Sequence, residues 1–161
     1  MNVVGIDPGR EGAIALLDGD TIVQCYDIPA KLSLLAEIIR GIPIGAYACI
    51  ECPFTNTKGD ANKALAVLVR KLPLLANYNQ VIGMLTIAGI PCQSVSPKVW
   101  QATFAVRGKG NGGGNTIEQC LKVFPESKEI VLADGKKHDG RSDALLIAKW
   151  KSLQLVAQKS A

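Results

Sequence analysis

The stretch NVVGIDPGREGAIALLDGDTIVQCYDI, residues 2–28, decides how the chain folds. Its first part, NVVGID (2–7), is a short apolar run with β-branched residues and reads as a strand ending on Asp7. From Gly12 to Ile28 two more strands flank Asp18-Gly19-Asp20, a hairpin turn signal. Beyond this sheet start, KLSLLAEIIRGI (31–42) puts Leu34, Leu35, Ile38 and Ile39 on one helical face and stops at Gly41. GAYACIEC (45–52) reads as a fourth strand. Residues 60–90 are rich in helix formers, with Leu65, Leu68, Val69 and Leu72 at helical spacing. Pro73 is expected to break or kink that segment, leaving a second helix over 77–88.

IPCQSV (90–95) supplies a fifth strand, and Ser96 is placed to cap a helix that has Pro97 at its first position. GKGNGGG (108–114) holds five glycines in seven residues, which predicts a mobile loop; it lacks the residue order of a nucleotide P-loop. NTIEQCLKVF (115–124) reads as a helix ended by Pro125, and a final helix starts near Asp139 and runs to about Leu155. The order is three strands, helix, strand, helices, strand, helices. A hairpin of strands followed by crossovers predicts an α/β fold: a five-stranded mixed sheet, its first three strands antiparallel, flanked by helices.

The 161 residues fit one domain, 1–161, large enough to bury a core without disulfides. Apolar residues make up 48% of the chain, too many for disorder, yet no apolar run is long enough for a membrane span. The opening residues lack the basic-then-apolar layout of a signal peptide, and a cytoplasmic protein is expected. Five scattered cysteines predict free thiols. Cys49 and Cys52 form a C-x-x-C, but on a strand running into a loop, whereas redox pairs open helices. Zinc would need more ligands, and the only histidine is His138. The net charge of +4 is uneven: residues 1–57 hold three basic and seven acidic side chains, and residues 58–161 hold fifteen and seven. An acidic cluster in a basic body suits a metal site that serves a polyanion.

Four acids sit against core-like sequence. Asp7 ends the first strand before a Pro-Gly turn, and Glu51 ends the fourth in the same way. Asp139 and Asp143 lie four apart at the mouth of an apolar helical run, where like charges repel. Taken singly, Asp7 suits a turn, Asp139 a helix N-cap and Asp143 an exposed first turn. Four separate desolvation penalties are harder to explain than one shared site, in which Mg²⁺ ions would relieve the repulsion and act on a phosphate.

GIDPG on the first strand, IE on the fourth and SDALLIA on the last helix resemble the RuvC family of Holliday junction resolvases. IPCQSVSPKVWQ and HDGRSDALLIA resemble its phage and prophage members in particular, and the likeness runs along nearly the whole chain. It implies an RNase H-like fold and a homodimer that cuts a four-way DNA junction at two symmetric points, in a bacterial or phage setting. It also implies Mg²⁺, or Mn²⁺ in its place, held by Asp7, Glu51, Asp143 and an acid just upstream. Cellular members carry that last acid three residues before the final Asp, where this chain has Gly140; Asp139 is the substitute, with His138 as runner-up. Phe54 stands where cellular members stack an aromatic on a junction base. The family's lysine after the Gly-rich loop is replaced by Asn115-Thr116, which leaves Lys58, Lys98, Arg107 and Lys109 as candidate DNA contacts. Two other readings stay open: an RNase H-like ribonuclease of the YqgF type, and a junction-binding protein without catalysis. An actin-like ATPase, whose phosphate motif GIDPGREGAIALLDGD resembles, would need two such domains.

Overall fold

The computed structural model describes residues 1–53, 61–106 and 115–159, with the backbone alone for 61–71. Phe54, Lys58, Arg107 and Lys109 therefore lie outside the described residues, as does the Gly-rich loop. Strands β1 (Asn2–Asp7), β2 (Ala13–Asp18) and β3 (Thr21–Asp27) are followed by helix α1 (Leu32–Arg40) and strand β4 (Tyr47–Glu51). Then come α2 (Ala61–Ile87), β5 (Cys92–Val95), α3 (Pro97–Thr103), α4 (Thr116–Val123), the short α5 (Lys128–Val131) and α6 (Asp139–Lys159). The sheet order is β3-β2-β1-β4-β5. β1 pairs antiparallel with β2, and β2 with β3, while β4 joins β1 and β5 in parallel.

Both faces of the sheet are covered, which is why β1 and β2 read as continuous apolar runs. On one face Val3, Ala13, Ala15, Leu17 and Cys49 pack against α3, α4 and α6. On the other, Val4, Ile6, Ile14, Leu16 and Ile50 pack against Leu35 and Ile39 of α1 and Tyr78, Val81 and Leu85 of α2. β3 and β5 are the edge strands, and most of their residues are exposed. Helix α6 crosses β1 so closely that a Cβ on Gly5 would lie 2.0 Å from the Ala144 carbonyl oxygen and 2.3 Å from the Ala148 nitrogen. Glycine at position 5 thus sets the spacing between the strand that carries Asp7 and the helix that carries Asp143.

Three local expectations need correction. Pro73 does not end a helix, for α2 runs through it from Ala61 to Ile87. Proline costs an interior bond, but docking of Tyr78, Val81 and Leu85 on the sheet outweighs that local cost. Leu34 faces solvent at 45% exposure, so α1 buries a narrower stripe, centred on Leu35 and Ile39. Ser96 occupies the N-cap position of α3, with Pro97 after it, but its side chain makes no capping hydrogen bond. Among the described residues no helix is long and apolar enough to cross a membrane.

Candidate active site

Asp7 and Glu51 end neighbouring parallel strands, paired up to Ile6 and Ile50. Their side chains therefore emerge side by side at the carboxyl edge of the sheet, where open α/β sheets bind ligands. The Gly9 amide donates to Asp7 Oδ1 at 2.9 Å, a bond that favours the carboxylate, yet burial wins and raises the Asp7 pKa. Asn77 of α2 reaches across to donate to the carbonyls of Pro8 at 3.3 Å and Gly9 at 3.5 Å, which steadies the turn behind Asp7.

Burial pushes Glu51 up to about 7; the Trp100 indole opposes this, and the charge of Asp7 adds to it. That indole N–H donates to Glu51 Oε2 at 2.7 Å. Asp143, in the first turns of α6, is pushed up to about 8, chiefly by burial and then by the charge of Asp7. A hydrogen bond from Thr116 opposes the shift, while Glu51 and Asp139 raise it further. Its Oδ1 is buried and has no hydrogen-bond partner among the described residues. Leaving a buried oxygen unpaired is costly, and in a native fold it calls for an explanation.

Asp7, Glu51 and Asp143 thus feel one another's charge. Asp139 opens α6 on an exposed edge and has the smallest effect on Asp143. His138 turns Nε2 toward the Ala133 carbonyl at 3.2 Å. At position 140 an acid has no room, since a Cβ would lie 2.0 Å from the Glu11 carbonyl oxygen. The start of α6 is also anchored by Arg141, whose Nε and Nη2 fork onto Asp27 at 2.6 and 2.7 Å and whose Nη1 donates to Ile130 O at 3.0 Å. Beside Asp139 lies a cavity of about 380 Å³ whose rim carries Arg10, Lys136 and Lys137 as well as Glu11. Lys98 is exposed at the start of α3. Cys49 is buried in β4 and its thiol is pushed up to about 12, the opposite of an activated cysteine.

Among the described residues no three His, Cys, Asp or Glu side chains are gathered closely enough to hold an ion as they stand. The donors nevertheless fit a hard divalent cation in kind. They are carboxylate oxygens, the class Mg²⁺ and Mn²⁺ prefer, and Asp143 Oδ1 lacks the partner that such a cation would supply.

Trp100, Thr116, Asn77 and Arg141 were not expected at the site from sequence. Only Trp100 left a signal: a tryptophan one helical turn beyond a core strand needs an acceptor for its N–H.

A five-stranded sheet in the order β3-β2-β1-β4-β5, flanked by helices, defines an RNase H-like fold. Within that class the chain has the fold of a RuvC-like Holliday junction resolvase. It is similar to the structure of Thermus thermophilus RuvC in complex with a Holliday junction substrate, at a TM-score of 0.61 and 11% identity, over 99% of this chain and 96% of that one. A second Thermus thermophilus RuvC structure superposes at a TM-score of 0.57 and 14% identity, over 99% of this chain and 97% of that one. No protein-family model matches the chain, and a search of the curated proteins finds no match.

Proposed function

We propose that this chain is a metal-dependent, structure-selective DNA endonuclease that resolves Holliday junctions or other branched DNA, built as a single RNase H-like nuclease domain. The observation that carries the reading is that three half-buried carboxylates, Asp7, Glu51 and Asp143, feel one another's charge, and that Asp143 Oδ1 among them is buried without a partner among the described residues. A merely structural cluster of this kind is destabilising and has no physical reason to persist.

Asp7, Glu51 and Asp143 would hold Mg²⁺ or Mn²⁺, with Asp139 as the fourth ligand and His138 as its substitute. Bound divalent cations supply the Lewis acidity and nucleophile activation that phosphodiester hydrolysis requires. The chain's own residues orient and bind. Gly9 and Asn77 fix the Asp7 turn, and Trp100 fixes Glu51. Lys98, with Lys58, Arg107 and Lys109, would grip the DNA backbone, and Phe54 would stack at the open junction. Arg10, Lys136 and Lys137, on the cavity beside Asp139, would add further phosphate contacts.

Symmetric cleavage needs two such sites on a two-fold axis, so the working unit is a homodimer acting in the bacterial cytoplasm on cellular or phage DNA. Helix α2 is the proposed interface, since it exposes Leu72 at 57% and Ile87 at 89%. Asp7→Asn tests the reading. It should abolish cleavage while junction binding persists or strengthens, because a negative charge near phosphate is gone. Equal loss of binding and cutting would make Asp7 structural. Cleavage of RNA and not of branched DNA would favour the YqgF-type ribonuclease.

A further inference from the structure

We propose that Trp100 is a positioning residue for Glu51: its indole N–H engages Oε2 and leaves Oε1 as the atom available to a divalent cation. The inference rests on the nuclease reading above but names a residue outside the acid set. Trp100 is fully buried at 0% exposure, packed in the cluster that contains Val95, Ile117, Cys120 and Phe124. Its ring has only two side-chain torsions, and both are held by that packing. An indole donates one hydrogen bond and accepts none, so its partner is fixed in kind. The partner is Glu51 Oε2 at 2.7 Å, the length of a charge-assisted bond.

The geometry follows from the sheet. Glu51 pairs in register with Val95, and the chain turns from Val95 through Ser96 straight into α3. Trp100 therefore returns over the end of the very strand whose last residue it binds. Among the described residues Glu51 makes no other side-chain hydrogen bond. Without Trp100 the carboxylate would be free to rotate beside Asp7, which repels it. Partners that orient a metal-binding carboxylate typically change metal affinity or activity by 10–100-fold when removed.

The test uses the full chain. Trp100→Phe keeps an aromatic ring and removes the donor. Trp100 and Trp150 are the only tryptophans. In a Trp150→Phe background, biosynthetic replacement of the remaining tryptophan by 3-benzothienylalanine therefore gives an isostere with sulfur in place of N–H. Mn²⁺ affinity is measured by calorimetry without DNA, alongside junction binding in EDTA and cleavage across a Mn²⁺ series. The expected result is a 10–100-fold loss of Mn²⁺ affinity, unchanged junction binding, and cleavage partly recovered at high Mn²⁺. If Trp100→Phe melts without cooperativity, the isostere decides. An isostere with less than about a three-fold loss of affinity overturns the proposal. A Trp150→Phe parent that binds Mn²⁺ but cuts no branched DNA rejects the nuclease reading, and calorimetry still judges Trp100. A parent that takes up no Mn²⁺ overturns both.

Discussion

Replacing Asp143 with Asn should stabilise the protein at pH 8 in EDTA. Asp143 is pushed from an ordinary 3.8 to about 8, largely by burial and then by Asp7. Four pH units correspond to about 5–6 kcal/mol of penalty on the ionised form, at roughly 1.4 kcal/mol per unit. The sign follows from linkage. A carboxyl whose folded pKa lies above its unfolded value contributes fully below about pH 4, and that contribution is lost as the pH climbs to about 8. Asn removes the charge but places an amide where Oδ1 already lacks a partner, and that recovers only part of the penalty. A net gain of about 2–3 kcal/mol at pH 8 is expected, with almost none at pH 4. Urea unfolding at several pH values in EDTA measures it. Glu51, raised to about 7, should leave Asp143→Asn with a shallower slope rather than a flat profile. Saturating Mg²⁺ should then stabilise the wild type, by about 2.7 kcal/mol at a hundred times Kd, and should stabilise Asp143→Asn much less. An Asp143→Asn protein no more stable than wild type at pH 8, with the same slope, would refute the picture of a strained acid cluster.

Two other substitutions probe the frame around the site. Gly140→Asp puts an acid where cellular RuvC-type proteins carry one, but its Cβ would meet the Glu11 backbone at 2.0 Å. A loss of at least about 2 kcal/mol in thermal or urea melts is expected, with no gain in cleavage. A stable and more active variant would show that the 8–12 loop yields and that position 140 can hold a ligand. Leu68→Glu should turn a dimer into monomers that bind junctions weakly and nick singly, as read by light scattering and by nicked-product analysis. Unchanged dimers would move the interface away from α2.

Asp7 and Glu51 were legible because each ends an apolar strand, a purely local signal that survives folding. The sheet followed from the same runs, since strands buried on both faces advertise themselves as unbroken apolar sequence. What stayed hidden depends on distance along the chain. Trp100 and Glu51 meet only because β4 and β5 pair in parallel, 49 residues apart. Asn77 finds the Pro8 carbonyl across 69 residues. Pro73 and Leu34 misled for the opposite reason. Their local preference is plain, and tertiary packing overrides it. Gly140 shows both sides. Its departure from the family pattern is visible in the sequence, but its cause, the pressing of α6 onto the loop after β1, is not.

Cleavage of a synthetic four-way junction tests the central claim most directly. Wild type and Asp7→Asn are compared on the junction, on linear duplex of the same sequence and on an RNA–DNA hybrid, with Mg²⁺, with Mn²⁺ and with EDTA. The carboxylate site predicts paired, symmetric incisions in the junction with either cation, none in EDTA, none with Asp7→Asn, and little on linear duplex. A junction left intact by wild type with both cations, while Asp7→Asn behaves the same in every arm, would contradict it.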